Sequence, residues 1–242
     1  MKKYILFPLA ILILNNSYAQ KADKKINRFA DFSAAIGQSQ GSLAASYVHN
    51  WKIGKKKKWE VGIGARFTTY IGTKTDFITA PARLARTSTT PFLIFFAGQK
   101  TENHDTLTVQ RPLVNMLNLS ANVGYNFNNK WSAGFNIDVI GFSFGRKSSA
   151  ILTSNGLTRI EPTAKVAPFN ILLTGDHDRG SLNSEFFVRY RLKDHWSIRA
   201  LYQFIFVEYK TSTINQAAPD GTINDRFRNK ANTFGMGISY HF

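Results

Sequence analysis

The chain has 242 residues, a formal net charge of +16, no cysteine, and 14% aromatic residues at a mean hydropathy of −0.21. The absence of cysteine excludes a disulfide framework and a lipidated N-terminal cysteine. So basic a balance often marks a nucleic-acid binder, a class that the first twenty residues argue against.

Met1-Lys2-Lys3 precedes an apolar run from Tyr4 to Leu14, followed by Asn15-Asn16-Ser17-Tyr18-Ala19. A basic start, a short apolar stretch and small residues at Ser17 and Ala19 form a secretory signal, with cleavage expected after Ala19. The run falls short of the ~20 residues that a spanning helix needs. Export leaves anionic lipid headgroups and lipopolysaccharide phosphates, not nucleic acid, as counterparts of the charge. Residues 20–28 are expected as a short periplasmic segment and 29–242 as one domain. Beyond the signal the longest apolar run is Pro91–Gly98, so any membrane crossing must be made by strands.

Strands are expected over Phe29–Gly37 and Leu43–Trp51, although their alanines hardly distinguish one face from the other. From Trp59 the alternation is clear: Trp59, Val61, Ile63, Ala65 and Phe67 on one face, Glu60, Gly62, Gly64, Arg66 and Thr68 on the other. Leu113–Phe127, Trp131–Phe144, Ser184–Leu192, Trp196–Tyr209 and Lys230–Phe242 repeat this period of two, which belongs to strands. Three polar turns join a Tyr-bearing strand to one that opens on Trp: Tyr47–Glu60, Tyr125–Ser132 and Tyr190–Ser197. Rings gathered beside turns are what a membrane interface collects. Three long connections near 72–112, 145–181 and 210–229 lie opposite those turns. The expected fold is therefore all-β: an eight-stranded antiparallel up-and-down transmembrane β-barrel with long extracellular loops, integral to a bacterial outer membrane.

The final strand alternates Phe234, Met236, Ile238, Tyr240 and Phe242 with Gly235, Gly237, Ser239 and His241. With this ending the chain resembles the small outer-membrane β-barrel family of Gram-negative bacteria, the OmpA/OmpX/OmpW-like group. The resemblance covers nearly all of 20–242 and rests on pattern. It implies that Phe234, Met236, Ile238, Tyr240 and Phe242 form a C-terminal assembly signal read by the barrel-assembly machinery. The peptidoglycan-binding activity of larger family members is not carried over.

Inward-facing charges are expected at Glu60, Arg66, Asp138, Glu185, Arg189, Arg191 and Arg199. An eight-stranded interior is just wide enough to be filled by side chains, and charges buried there must pair. The expectation is an ion-pair plug rather than a wide pore or a catalytic centre. No HExxH signature is present, the five histidines fall at the turn end or in long loops, and Asp176-His177-Asp178 reads as a turn. The chain is read as non-enzymatic, without cofactor or metal. Lys55–Lys58 are either a solvated turn or a contact for inner-leaflet phosphates.

Two long-loop segments echo each other, PFLIFFAG at Pro91–Gly98 and PFNILLTG at Pro168–Gly175. Either both extend strands above the membrane or cover the barrel mouth, packing on each other as a small satellite core, or Phe92, Ile94, Phe95 and Phe96 face Phe169, Ile171, Leu172 and Leu173 across a site for a small hydrophobic ligand. The functional expectation is a barrel that binds or admits such a ligand through its loops. The alternatives are a structural or surface-interaction barrel that anchors its loops and, further off, a lipid-modifying enzyme.

Overall fold

The computed structural model describes residues 25–90, 93, 96–154, 156–173, 177–218 and 220–242. The expected signal segment lies outside them, as do Phe92, Ile94 and Phe95. In chain order the strands are β1 (Ile26–Gly37), β2 (Gln40–Ile53), β3 (Trp59–Gly72), β4 (Lys74–Thr79), β5 (Thr106–Gln110), β6 (Leu113–Asn126), β7 (Trp131–Gly145) and β8 (Ser148–Ser154). They continue as β9 (Leu157–Val166), β10 (Phe169–Ile171), β11 (Leu182–Arg191), β12 (Trp196–Lys210), β13 (Gln216–Ala217), β14 (Ile223–Asn224) and β15 (Arg226–His241). One short helix, α1, spans Ala82–Ala85.

Thirteen of these strands form one antiparallel sheet, so the sheet as a whole exceeds the expected count of eight. Walking the pairings β1–β2–β3–β6–β7–β11–β12–β15 returns to β1, which closes the sheet on itself. A second path leaves that circuit at the upper ends of β12 and β15 and runs β12–β9–β8–β5–β4–β15. The segments near 72–112, 145–181 and 210–229, expected as loops, thus contribute β4, β5, β8 and β9, which build a closed head above the first circuit. Closure leaves no row of unpaired backbone groups at an edge.

The side chains explain the two levels. On β12 the inward positions read Ser197, Arg199, Leu201 and Gln203, then Ile205, Val207 and Tyr209. On β6 they read Asn122, Ser120 and Asn118, then Met116 and Val114. The lower interior is therefore polar and the upper interior apolar. The upper core joins Tyr70, Phe77, Leu107, Val114, Met116, Leu152, Ile205, Val207, Tyr209 and Phe227, most of them fully buried. Outside, the lower wall is apolar: Phe32, Ile63, Leu119, Phe186, Phe234 and Met236 are all exposed on it.

Two local features set the register. In β7 a bulge pairs Leu119 with Ile140 but Ser120 with Asp138, so Val139 is the extra residue. Val139 and Ile140 then both face outward, and the parity flips so that Ser143 points in while Phe142 and Phe144 point out. Bulges commonly re-aim a side chain beside a site; this one adjoins Asp138. Next, β10 pairs with Ile140–Phe142, and Ile171 at its end bridges to Arg179, just before Gly180 leads into β11. Gly180 has φ +74°, and a Cβ there would meet Asn170 Oδ1 and the Phe169 carbonyl, so only glycine suits both the backbone and the approach.

Candidate functional site

The lower interior is a connected polar network. Arg66 sits on β3 between two acids: its Nη2 lies 2.5 Å from Asp138 Oδ1 and its Nη1 3.3 Å from Glu185 Oε1. It also donates to Asn136 Oδ1 at 2.6 Å and to the Asn183 carbonyl at 2.7 Å. The second Asp138 oxygen accepts from Asn118 Nδ2 at 2.7 Å and the Asn183 amide at 3.0 Å. Glu185 continues to Arg199 at 3.4 Å, and Arg199 to Asp31 at 3.2 Å, which Arg189 also approaches at 3.5 Å. All six charged groups are nearly fully buried, a state that mutual pairing makes tolerable.

Two of the anticipated charges have other partners. Glu60 is held by amides, Asn27 at 2.9 Å, Asn50 at 3.1 Å and Asn126 at 2.8 Å. Arg191 reaches His241 Nδ1 at 3.4 Å. Asp31, which sequence reading missed, joins two arginines. Its strand, β1, also buries Phe29 under the Arg189 guanidinium at 4.0 Å, so a phenylalanine faces inward beside Asp31.

At the turn end Ser197 Oγ lies 2.9 Å from His241 Nε2, and His241 Nδ1 lies 3.1 Å from Asn27 Oδ1. The three residue types match a nucleophile, base and orienter. The surroundings do not. Arg191 Nη2 lies 3.4 Å from His241 Nδ1, on the side where an orienting carboxylate would stand, and the adjoining cavity of about 30 Å³ holds a few waters but no acyl substrate. This is a structural contact.

The head carries its own polar clamps. Glu208 accepts from Arg226 at 2.8 and 2.9 Å and from Arg228 at 3.0 Å, and both arginines donate to the Asp178 carbonyl. Burial alone would lower the Arg226 guanidinium, but the hydrogen bonds and charge of Glu208 outweigh it and hold it above its usual value. Glu161 on β9 accepts backbone amides from Ser212, Thr213 and Ile214 at 2.9–3.1 Å, and from Thr163 at 3.0 Å. Burial acts to raise its carboxyl, and these four N–H donors together pull it below the ordinary carboxylate range. Beside α1 an open cleft of about 550 Å³ is lined by Arg83, His177, Arg179, Asn224 and Arg226.

The two echoing segments have different fates. Phe169 pairs with Phe142 on the outer wall, with ring centroids 6.0 Å apart, and Ile171 pairs with Ile140. The segment expected in an extracellular loop is thus wall strand. Leu172 is partly buried, Leu173 is half-exposed and Phe96 is 88% exposed. Phe92, Ile94 and Phe95 lie outside the described residues, and the described members do not converge on a cavity.

Aromatic rings gather at the turn end. Trp59 packs on Tyr125 at 4.9 Å, Trp131 on Tyr190 at 4.8 Å, and Tyr240 on both Trp196 at 5.1 Å and Phe242 at 5.3 Å. The turns that present them are locally determined. In the β6–β7 turn Asn128 Oδ1 accepts the Lys130 and Trp131 amides at 2.8 and 2.9 Å, the backbone mimicry that favours Asn there.

No family model and no curated protein matches the chain. Among solved structures, Ail, the attachment invasion locus protein of Yersinia pestis, is 10% identical, with 90% of this chain and 99% of that chain covered at a TM-score of 0.38. Neisserial surface protein A is 10% identical over 90% of this chain and 96% of that chain, at a TM-score of 0.34. A major outer membrane protein from Thermus thermophilus is 10% identical over 89% of this chain and 99% of that chain, at a TM-score of 0.34. Likeness at this level carries no inference about function.

Proposed function

We propose that the chain is an integral outer-membrane β-barrel, non-enzymatic, whose eight-strand circuit crosses the bilayer and holds a folded β head at the cell surface as an interaction module. The observation that carries this reading is the inversion of polarity along single strands. Below Gln203 on β12 the wall is apolar outside and polar inside; above it the interior is apolar. An apolar exterior over a polar interior suits lipid, whereas an apolar interior is the ordinary core of a domain that stands in water. The outward apolar run of β12 continues past Gln203 through Phe204 to Phe206, and from Trp196 to Phe206 the strand advances roughly 33 Å at about 3.3 Å per residue. At a tilt near 40° that is about 25 Å of height, the thickness of an outer-membrane apolar band.

The filled interior also bears on transport. The ion network occupies the lower lumen and the apolar core closes the upper one, so a lipophile or solute has no open path. Binding then belongs to the head surface. The discriminating experiment compares two exposed apolar positions. Met236→Arg, on the lower wall, is expected to cost about 2–4 kcal/mol in a bilayer. Ile160→Arg, on the head, is expected to change stability by less than about 0.5 kcal/mol. Urea unfolding in lipid vesicles reads both, and equal costs would overturn the membrane assignment. Planar-bilayer recording of the wild type should show no steady conductance.

A further inference from the structure

The turn end carries a collar of cations set against the aromatic ring. Lys55, Lys56 and Lys57 are exposed at the tip of the β2–β3 turn. Lys58 lies 6.0 Å over the Tyr125 ring and donates to the Phe127 carbonyl at 3.4 Å, which places its ammonium at the depth of the belt. Lys130 and Lys193 occupy the other two turns, and Arg28 opens β1; all three are exposed. Against them the three turns carry one carboxylate, Asp194. Glu60, the next acid inward, is buried and taken up by amides. None of these cations is ion-paired among the described residues.

The backbone adds a second observation. Lys57 has φ +49°, a left-handed conformation that glycine or asparagine adopts more easily. The turn geometry alone does not call for lysine there. The charge thus stands on a backbone position of the strained kind that clusters at functional sites.

Resting on the membrane reading above, with this end at the inner leaflet, we propose that the collar binds anionic phospholipid headgroups and enriches them around the barrel over zwitterionic lipid. Each ammonium near the leaflet surface gains from its negative potential, while the rings at the same depth anchor the collar in the headgroup layer. A soluble acidic polymer would meet the turn tips but not Lys58, which lies along the belt.

The chain supplies its own reporter. It has four tryptophans, and Trp51, Trp59, Trp131 and Trp196 all stand in this collar, each about half exposed. The protein is reconstituted in mixtures of phosphatidylcholine and phosphatidylglycerol in which one or the other carries brominated acyl chains, which quench nearby indoles. Brominated anionic lipid should quench with roughly threefold preference over its mole fraction, and the preference should fall toward parity at about 0.5 M salt. The variant Lys55→Gln, Lys56→Gln, Lys57→Gln, Lys58→Gln should lose most of it while keeping the heat-dependent gel shift of a folded barrel. Parity in the wild type, or an undiminished preference in the folded variant, would overturn the proposal. Absence of quenching by either lipid would instead overturn the membrane reading on which it rests. Wild-type parity accompanied by salt-sensitive capture of an acidic polysaccharide would assign the collar to a soluble partner.

Discussion

Arg66 and Asp138 face each other across the lower interior at 2.5 Å, with 2% and 0% of their side chains exposed. They come from β3 and β7, which β6 separates, so the pair ties two strands across the inner face of a third. Losing one member leaves a buried charge without its counterpart, and such losses cost about 3–5 kcal/mol. Asp138→Asn is expected to fall in that range by urea unfolding in micelles. The double variant Arg66→Met, Asp138→Leu should cost less than the sum of the single changes. It should not return to wild type, because Arg66 also faces Glu185 at 3.3 Å. Strict additivity in this cycle would mean that the pair carries no coupling.

In the head, Glu161 acts on the chain near 212–214 as a cap acts on a helix, collecting backbone amides with one carboxylate. Its carboxyl is held below the ordinary range, with burial opposing and the amides of Ser212, Thr213, Ile214 and Thr163 prevailing. The folded head therefore favours the ionised form. This contribution is complete above the unfolded carboxylate value near 4.3 and disappears as pH falls through the lower folded one. Hydrogen exchange of the Thr213 and Ile214 amides should be slow at pH 5–7 and rise steeply only below about pH 4. Glu161→Gln should expose these amides at every pH at a cost of about 2 kcal/mol, and its opening should not depend on acidity. A wild type that opens near pH 6 would refute the clamp.

What could be read from sequence, and what could not, follows from how a strand is used. Where one face meets an apolar medium and the other a polar one, the period of two is visible. The strand expected over Trp196–Tyr209 is found as Trp196–Lys210, and that expected over Trp131–Phe144 as Trp131–Gly145. The head broke the pattern. β8 and β9, SSAILTS and LTRIEPTAKV, put Ala150, Leu152, Ala164 and Val166 inward but also Ile151, Leu157 and Ile160 outward. With a proline inside β9 they read as loop. The network was half legible. Arg66, Asp138 and Glu185 stood out as charges alternating with apolar residues, whereas Asp31 sat in an alanine-rich strand with no contrast between faces. Phe169 failed for a third reason: it repeats the motif of Pro91–Gly98 but continues the wall of β7, and pairing is a long-range fact that a local echo does not reveal.

The last prediction separates the head from the wall. Phe77 is fully buried and meets Tyr209 edge-on with ring centroids 5.3 Å apart. Its neighbours in the core come from β4, β5, β8 and β9 as well as from the upper ends of β3, β6, β12 and β15. Phe77→Ala should cost about 3–5 kcal/mol locally, through lost burial and the cavity left behind. The lower interior shares none of those side chains. Below the level of Thr68 and Gln203 it is held by Arg66, Glu185, Arg199 and Asp31. The head is therefore expected to open as a unit of its own. Limited proteolysis of the variant in vesicles should cut within 74–112 and 148–166, while the remaining barrel keeps its heat-dependent gel shift. If the variant loses that shift together with the head, the two interiors fold as one cooperative core and the surface module is not separable from its anchor.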